Sequence, residues 1–309
     1  MRLYRTKKYG VVQVHNLPDF LVFCAWWPKL RGAKIILDIH DVMPEFFAER
    51  SGKSLDHFFV KVIIWQEQRA CRFADQVITV TEPWRQALVK RGVPFEKTNV
   101  VMNVPDGGMF YRGVQPNPGT KADDQVNLIY HGVQAPRHGL DMILHAVNQL
   151  RDELPHLHFI LHGNGDAHLD LKALAKALDL EDRVQFTSTF MSIDELPKFI
   201  MRGDIGVVPY HDDIFSGGIL PTKVLEYVAL GLPVITSQTP AIEAYFNEEM
   251  VEMFAPGDLE GLKERIVKLY HDTARRQQLV IQSEDFLKQY GWEVQTEGYT
   301  AMVNQLNQS

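Results

Sequence analysis

At 309 residues the chain is long for one hydrophobic core and comfortable for two. Apolar residues make up 45% and charged residues 23%, the ordinary balance of a soluble globular protein. A formal charge of −7 argues against nucleic acid as the partner, because phosphate backbones call for concentrated Lys and Arg, yet it leaves room for a local basic pocket. The two cysteines, Cys24 and Cys71, lie in apolar surroundings and read as reduced, packed thiols, not as a disulfide framework or a Cys-based zinc site. The opening MRLYRTKKYG is basic but lacks the apolar core of a secretion signal. LVFCAWWPKL and FFVKVIIW are too short, and too charged, to span a bilayer. The expectation is a cytoplasmic protein.

Strands and helices alternate from the start. VVQVHN (11–16) reads as a strand ending in polar residues, followed by an apolar helical segment at 20–30. KIILDIHD (34–41) is a second strand, apolar until Asp38 and His40. Phe58, Val62, Trp65 and Arg69 recur at helical spacing and predict a helix over 55–73. VITV (77–80), a helix at 82–91 and NVVMN (99–103) complete the first series. DGGMFYRGVQPNPGTKADDQ (106–125) breaks every periodicity and predicts an interdomain linker, set at 111–125.

A second series follows, with strands at 127–132, 158–163, 184–188, 205–210, 233–237 and 251–256. Helices are expected near 139–152, 168–178, 193–202 and 222–230, and long helices fill 258–305. Continuous Val/Ile-rich strands separated by helices mean parallel sheets covered on both faces. The expected fold class is α/β, two tandem doubly wound Rossmann-like domains at 1–110 and 126–290. A C-terminal helix, 291–309, is expected to cross back to the first domain, using Trp292 and Tyr299. Ligands of such domains bind beyond the carboxyl ends of the strands.

FSGGILPTKVLEYVALGLPVITS (215–237) is the most informative stretch. Pro221 suits a first helical turn, Val224, Leu225, Val228 and Ala229 supply a buried face, and Gly231 ends the helix. The helix start and Gly217-Gly218 offer backbone N–H groups to an anion. Lys223 and Glu226 lie three apart on one side. A lysine suits phosphate, and a carboxylate one turn further suits the paired hydroxyls of a ribose. The residues alone leave two readings open: a ribonucleotide diphosphate site, or an exposed i,i+3 pair beside an ordinary loop.

The same stretch resembles the nucleotide-sugar segment of the GT-B retaining glycosyltransferases of family 4, where P-x-K-x-x-E-Y/A-x-A-x-G-x-P-V-I forms the second half of a Glu-x7-Glu motif. LIYHGVQAPRHGLDMILHAV, LHFILHGNGD, DRVQFTSTF, DELPKFIMRGDIGVVPY and PAIEAYF follow in the family's order. The resemblance covers about residues 8–305. It implies transfer of a sugar from a nucleoside-diphosphate sugar to a hydroxyl of a sugar, polysaccharide or lipid-linked acceptor, with retention of configuration. It implies no bound metal or other cofactor, and it admits peripheral membrane contact.

By resemblance Glu226 matches the glutamate that holds the ribose. The motif's first glutamate falls on Gly218, a departure that bears on sugar identity. Gly217, Gly218 and Ile219 are therefore assigned backbone contacts to the diphosphate or sugar. The strand-end turn brings Gly132; Val133 and His138 stand where relatives carry Arg and Lys, with Arg137 adjacent. Lys223 becomes the main phosphate cation. On the acceptor side the family's catalytic histidine matches His40, with Asp41 beside it; His15, Asn16 and Glu45 border the acceptor.

His131 and His162, each ahead of a glycine, read as hydrogen-bonded structural histidines. His156 and His158 read as residues near a strand start, not zinc ligands. GNGD (163–166) falls short of a dinucleotide fingerprint. The family's first domain carries more sheet ahead of the strand at 11–16, so the expected first domain is incomplete, with apolar surface left open and little activity in the chain as written. The rival functions are a non-catalytic nucleotide-binding protein, consistent with Gly218, and a sugar-nucleotide epimerase of the same overall fold. No paired carboxylates, Gly-x-Ser-x-Gly elbow or P-loop point to a hydrolase or NTPase.

Overall fold

The structure is a computed structural model that describes residues 8–116 and 124–308. The first residues of the basic opening and the middle of the expected linker, 117–123, lie outside the described residues. Contacts divide the chain into two compact units: Met1–Asn103 with Asp213–Leu220 and Glu293–Ser309, and Val104–Asp212 with Pro221–Trp292.

The first unit holds a parallel four-stranded sheet in the order β1 (Val11–His15), β2 (Lys34–Ile39), β3 (Gln76–Thr79), β4 (Thr98–Val100). β2 is buried along almost its whole length because helices cover both of its faces, whereas edge strand β1 is only half-buried. The apolar segment expected to be one helix is a 3₁₀ segment, Asp19–Ala25, running into the short α1 (Trp26–Leu30). α2 (Met43–Ser51) forms between the second strand and the helix expected over 55–73, with Pro44 in its first turn and Gly52 at φ 63° closing it. α3 (Phe58–Phe73) and α4 (Glu82–Lys90) complete the layer; Thr81 caps α4 by accepting from the Trp84 N–H.

Ile35, Leu37, Ile39, Val77, Trp84 and Leu88 lie in the core of this unit. Phe20, Phe23, Trp26, Leu30, Phe58, Phe59 and Trp65 stay exposed on the 3₁₀ segment, α1 and α3. Of the cysteines, Cys71 is buried, where desolvation pushes its thiol far up; Cys24 is exposed, contrary to the packed position expected.

The second unit is a six-stranded parallel sheet. Its strands are β5 (Val126–His131), β6 (Leu157–His162), β7 (Val184–Thr187), β8 (Ile205–Val208), β9 (Val234–Ser237) and β10 (Glu252–Phe254), in the order β10-β9-β8-β5-β6-β7. Its helices are α5 (Leu140–Gln149), α6 (His168–Ala177), α7 (Leu196–Ile200), α8 (Thr222–Leu230), α9 (Pro240–Glu243), α10 (Leu259–His271), α11 (Thr273–Gln282) and α12 (Glu284–Tyr290). α7 is shorter than the expected helix over 193–202, and Pro197 sits at its start. The chain builds outward from β5 through β6 to β7, then returns to place β8 on the other side of β5. That reversal opens a crevice at the carboxyl ends of β5 and β8.

Residues 104–116 pack with the second unit instead of standing clear of it. Phe110 and Val114 are buried, and Arg112 reaches Glu284 and the Val280 carbonyl. α13 (Trp292–Gln308) groups almost entirely with the first unit. There Tyr299 donates its hydroxyl to Gln13, and Gln295 accepts the Met102 N–H at 2.9 Å, while Trp292 is exposed. No helix among the described residues is long and apolar enough to cross a membrane.

Candidate functional site

In the second unit the residues converge on the switch point. Gly132 follows β5 at φ 102°, and a Cβ there would lie 3.0 Å from Lys223 Cε, so glycine lets the lysine lie across the turn. Lys223 Nζ donates to the Tyr210 hydroxyl at 3.1 Å and sits 5.0 Å from the centre of the Tyr130 ring. Glu226, one turn further along α8, is hydrogen-bonded to His131 Nε2. The Tyr227 hydroxyl lies 3.2 Å from the Ile129 carbonyl and 3.1 Å from His131 Nδ1, within hydrogen-bond reach of both. Burial holds the Tyr227 phenol well above its ordinary range, keeping the phenolic proton in place. His131 is thereby fixed at one nitrogen and orients Glu226 with the other. The sequence marked His131 as structural; its position at the end of β5 was the signal for this second role.

Lys223 and Glu226 are thus partly buried and engaged with the sheet, not an exposed surface pair. α8 has no side-chain cap at its start, Pro221 standing at the N-cap position. Arg137 is exposed. His138 does not fit as a phosphate cation. Its ring is buried against Tyr210, with centroids 4.3 Å apart and planes within 4°, and its Nδ1 bonds the Val133 carbonyl at 2.8 Å. Burial, then the Lys223 charge, pushes its pKa down to about 4, so the ring is neutral near pH 7. His162 bonds Thr187 at 2.9 Å, as a structural histidine does.

The Gly-rich loop corrects the expectation placed on its amides. Gly217 N–H donates to the Asp213 carbonyl at 3.0 Å, Gly218 to Phe215 at 3.3 Å and Ile219 to Ser216 at 3.0 Å. A tight 3₁₀ turn, Ser216–Gly218, uses the donors that were assigned to a diphosphate. The loop packs with the first unit: Phe215 against Trp84 and Phe46, and the Gly218 carbonyl accepting from Thr81 Oγ1 at 2.9 Å. A Cβ on Gly218 would meet the Trp84 ring at 2.5 Å, which gives a steric reason for glycine where the family motif carries glutamate. Gly218→Ala is expected to destabilise the protein by about 1–3 kcal/mol through overpacking, read as a lower calorimetric Tm. An unchanged Tm would mean that the indole moves aside freely.

In the first unit, register brings together most of the residues expected on the acceptor side. β1 pairs with β2 so that His15 faces Asp38, and strand alternation turns Asp38 and His40 to the same side. His15 Nδ1 lies 2.9 Å, and His40 Nε2 3.2 Å, from Asp38 Oδ2. The two nitrogens are 3.2 Å apart. Asn16 ties the strand ends together, accepting the His40 N–H at 3.1 Å and donating to the Asp41 carbonyl at 2.6 Å. Asp38, absent from the sequence-derived site residues, is the centre of the group, and its position two residues before His40 in a strand was the available signal.

Glu45 does not join them. It is buried on α2 and takes two hydrogen bonds from Arg91 Nη1, at 2.9 and 3.1 Å, which makes it a structural partner and not an acceptor contact. Arg91 also faces Glu67, which is fully buried on α3; Arg91 Nε is 3.0 Å from Glu67 Oε1 but off the hydrogen-bond axis.

A groove of about 390 Å³ lies at the opposite end of the second sheet, lined by Asn127, His158, Arg183 and Arg202 near the amino ends of β5–β7. The switch-point residues do not border it.

Comparison with known proteins agrees with this layout. The family model "Glycosyl transferases group 1" matches residues 125–272, and the "Glycosyl transferase 4-like domain" matches residues 1–103. Chitobiosyldiphosphodolichol beta-mannosyltransferase from Debaryomyces hansenii is 23% identical over 77% of this chain and 54% of its own length. Its counterpart from Candida albicans is 24% identical over 85% of this chain and 60% of its own. The chain therefore spans little more than half the length of these curated relatives. The structure of HepE from Anabaena in complex with UDP aligns with a TM-score of 0.78 at 16% identity, over 98% of this chain and 81% of that one. Two parallel-sheet units, a lysine and a glutamate at the switch point of the second, and two adjoining matches over most of the sequence lead to one assignment: the chain belongs to the group 1 glycosyl transferases, with the GT-B fold.

Proposed function

We propose that the chain transfers a sugar from a nucleoside-diphosphate sugar to a hydroxyl acceptor, with retention of configuration at the transferred carbon. The observation that carries this is the placement of Lys223 and Glu226 on the first turns of α8, at the carboxyl ends of β5 and β8. Lys223 and the uncapped start of α8 stabilise the charge that builds on the leaving diphosphate, with Arg137 as a further cation. Glu226, oriented by His131, accepts the ribose hydroxyls. As the bond from the sugar carbon to the phosphate oxygen breaks, the acceptor oxygen bonds that carbon from the same face. The acceptor's proton passes to the leaving phosphate oxygen.

His40 is assigned to the transferring sugar, with Asp41, Asn16 and His15 on the acceptor side. The donor half of this chemistry needs no bound metal. The acceptor class is a sugar, polysaccharide or lipid-linked hydroxyl, met by a cytoplasmic protein at or near the inner membrane face. The names of the curated relatives, and the UDP in the HepE structure, support this choice of substrates.

Calorimetric titration with UDP and GDP tests the donor site. Glu226→Ala is expected to weaken binding by about 1–3 kcal/mol, the loss of charge-assisted hydrogen bonds. Equal affinities for wild type and variant would sink the ribose assignment. A second reading, nucleotide binding without transfer, draws on Gly218 and the occupied loop amides. Tight UDP binding with no donor consumed across a broad acceptor panel would put it in place of the first.

A further inference from the structure

We propose that Tyr210, braced by His138, is the positioning residue for Lys223, holding its ammonium at the switch point before a diphosphate arrives. The inference rests on the donor reading above and adds to it the means by which a single lysine serves. A lysine side chain is long and flexible, and fixing it on a ligand costs rotamer freedom. Here that freedom is already restricted. The Tyr210 hydroxyl, 3.1 Å from Lys223 Nζ, accepts one of the ammonium's N–H groups, and the Tyr130 ring lies 5.0 Å from the same nitrogen. The other ammonium protons remain for phosphate oxygens.

Tyr210 is itself held in place, and the reason lies in the backbone. It follows β8 and is buried. The His211 N–H donates to the Arg137 carbonyl at 3.0 Å, which ties the chain after β8 to the 3₁₀ turn Pro136–His138. Gly139 ends that turn at φ 63°, and a Cβ there would lie 2.2 Å from the Pro209 carbonyl oxygen, so glycine is what lets the two segments approach this closely. The approach lays the His138 ring flat against Tyr210. His138 is anchored in turn, with its Nδ1 2.8 Å from the Val133 carbonyl and 2.9 Å from the Tyr130 hydroxyl. A brace beside an ammonium works best uncharged, and burial keeps this imidazole neutral. His138 thus serves phosphate binding through Tyr210 and Lys223 and not as a cation. With no charge at Val133 or His138, the placement of Lys223 matters all the more.

Titration of the full chain with UDP and with uridine tests this, because the two ligands share the nucleoside and differ in the diphosphate. Tyr210→Phe keeps the stacked ring and removes only the hydroxyl. It is expected to weaken UDP about 5- to 10-fold and to leave uridine unchanged. His138→Ala, which removes the brace, should act in the same direction, and His138→Phe, which restores a flat ring, should recover most of the loss. Lys223→Ala should weaken UDP about 100-fold, and in that background Tyr210→Phe should have no further effect, since the hydroxyl acts through the ammonium. The proposal is overturned if Tyr210→Phe weakens UDP equally with and without Lys223, if it weakens uridine as much as UDP, or if it changes neither affinity. The donor reading fails on other results: a wild type that binds UDP no more tightly than uridine, or a Glu226→Ala variant that binds both as the wild type does.

Discussion

Replacing His40 with alanine is expected to cut sugar turnover about 10- to 1000-fold while leaving UDP affinity nearly unchanged. The reason is positional. His40 follows β2 in the first unit, and Lys223 and Glu226 belong to α8 in the second, so the imidazole can be removed without touching a donor contact. Its backbone N–H bonds Asn16, and that bond survives the substitution, so the strand end should keep its shape. The measurement pairs donor consumption, in the form of the protein that transfers sugar, with nucleotide titration. A variant that turns over as the wild type does would reduce His40 to a residue that closes a strand.

A second large effect is expected in stability against pH. Glu67 is fully buried, and desolvation raises its pKa to about 8; Arg91 opposes this, and the Asp19 and Glu45 carboxylates reinforce it. Arg91 is hydrogen-bonded to Glu45, so it answers Glu67 only with an off-axis contact. Between the ordinary glutamate range and pH 8 the folded protein holds a proton that the unfolded chain has lost. Stability from this group is therefore complete below about pH 4.5 and declines as pH rises through about 8. Asp19, also raised by burial, adds in the same direction. The decline is expected to be on the order of 4 kcal/mol. Glu67→Gln keeps the shape and removes the titration, so urea unfolding of the variant should be flatter with pH and should show greater stability at pH 9. Parallel pH profiles would mean that Glu67 ionises freely in the folded state.

Most of the α/β alternation was readable from the chain, because a strand covered on both faces must be apolar without a break. KIILDI, NLIY, HFIL and GVV are all of this kind, and their ends fall within a few residues of the observed strands. The α2 stretch, Met43–Ser51, was harder. Its short apolar run carries no clear helical period, and only Pro44 and Gly52 mark its limits. The positions of Lys223 and Glu226 on α8 were legible because Pro221, Lys223, Glu226 and Gly231 have fixed places along one helix and its caps. The loop before α8 misled, since two glycines suit both an anion-binding turn and a turn that bonds to itself. Only Trp84 and Thr81, more than a hundred residues away in sequence, decide for the second.

The amino-acid sequence by itself determined the two parallel sheets, the helix that carries Lys223 and Glu226, and the strand-end histidines. Hydrophobic pattern, Pro and Gly placement and i,i+3 spacing are local properties, fixed by neighbours along the chain. The tertiary structure alone decided what those side chains meet. It set Glu226 against His131, buried His138 under Tyr210, gave Glu45 to Arg91 and gathered His15 and His40 around Asp38. Each of these pairs depends on strand order, register or helix packing, which join residues far apart in sequence. In the last case the parallel register of β1 and β2 placed His15 opposite Asp38. A shift of one residue would have turned one of the two to the other face of the sheet and left no cluster at all.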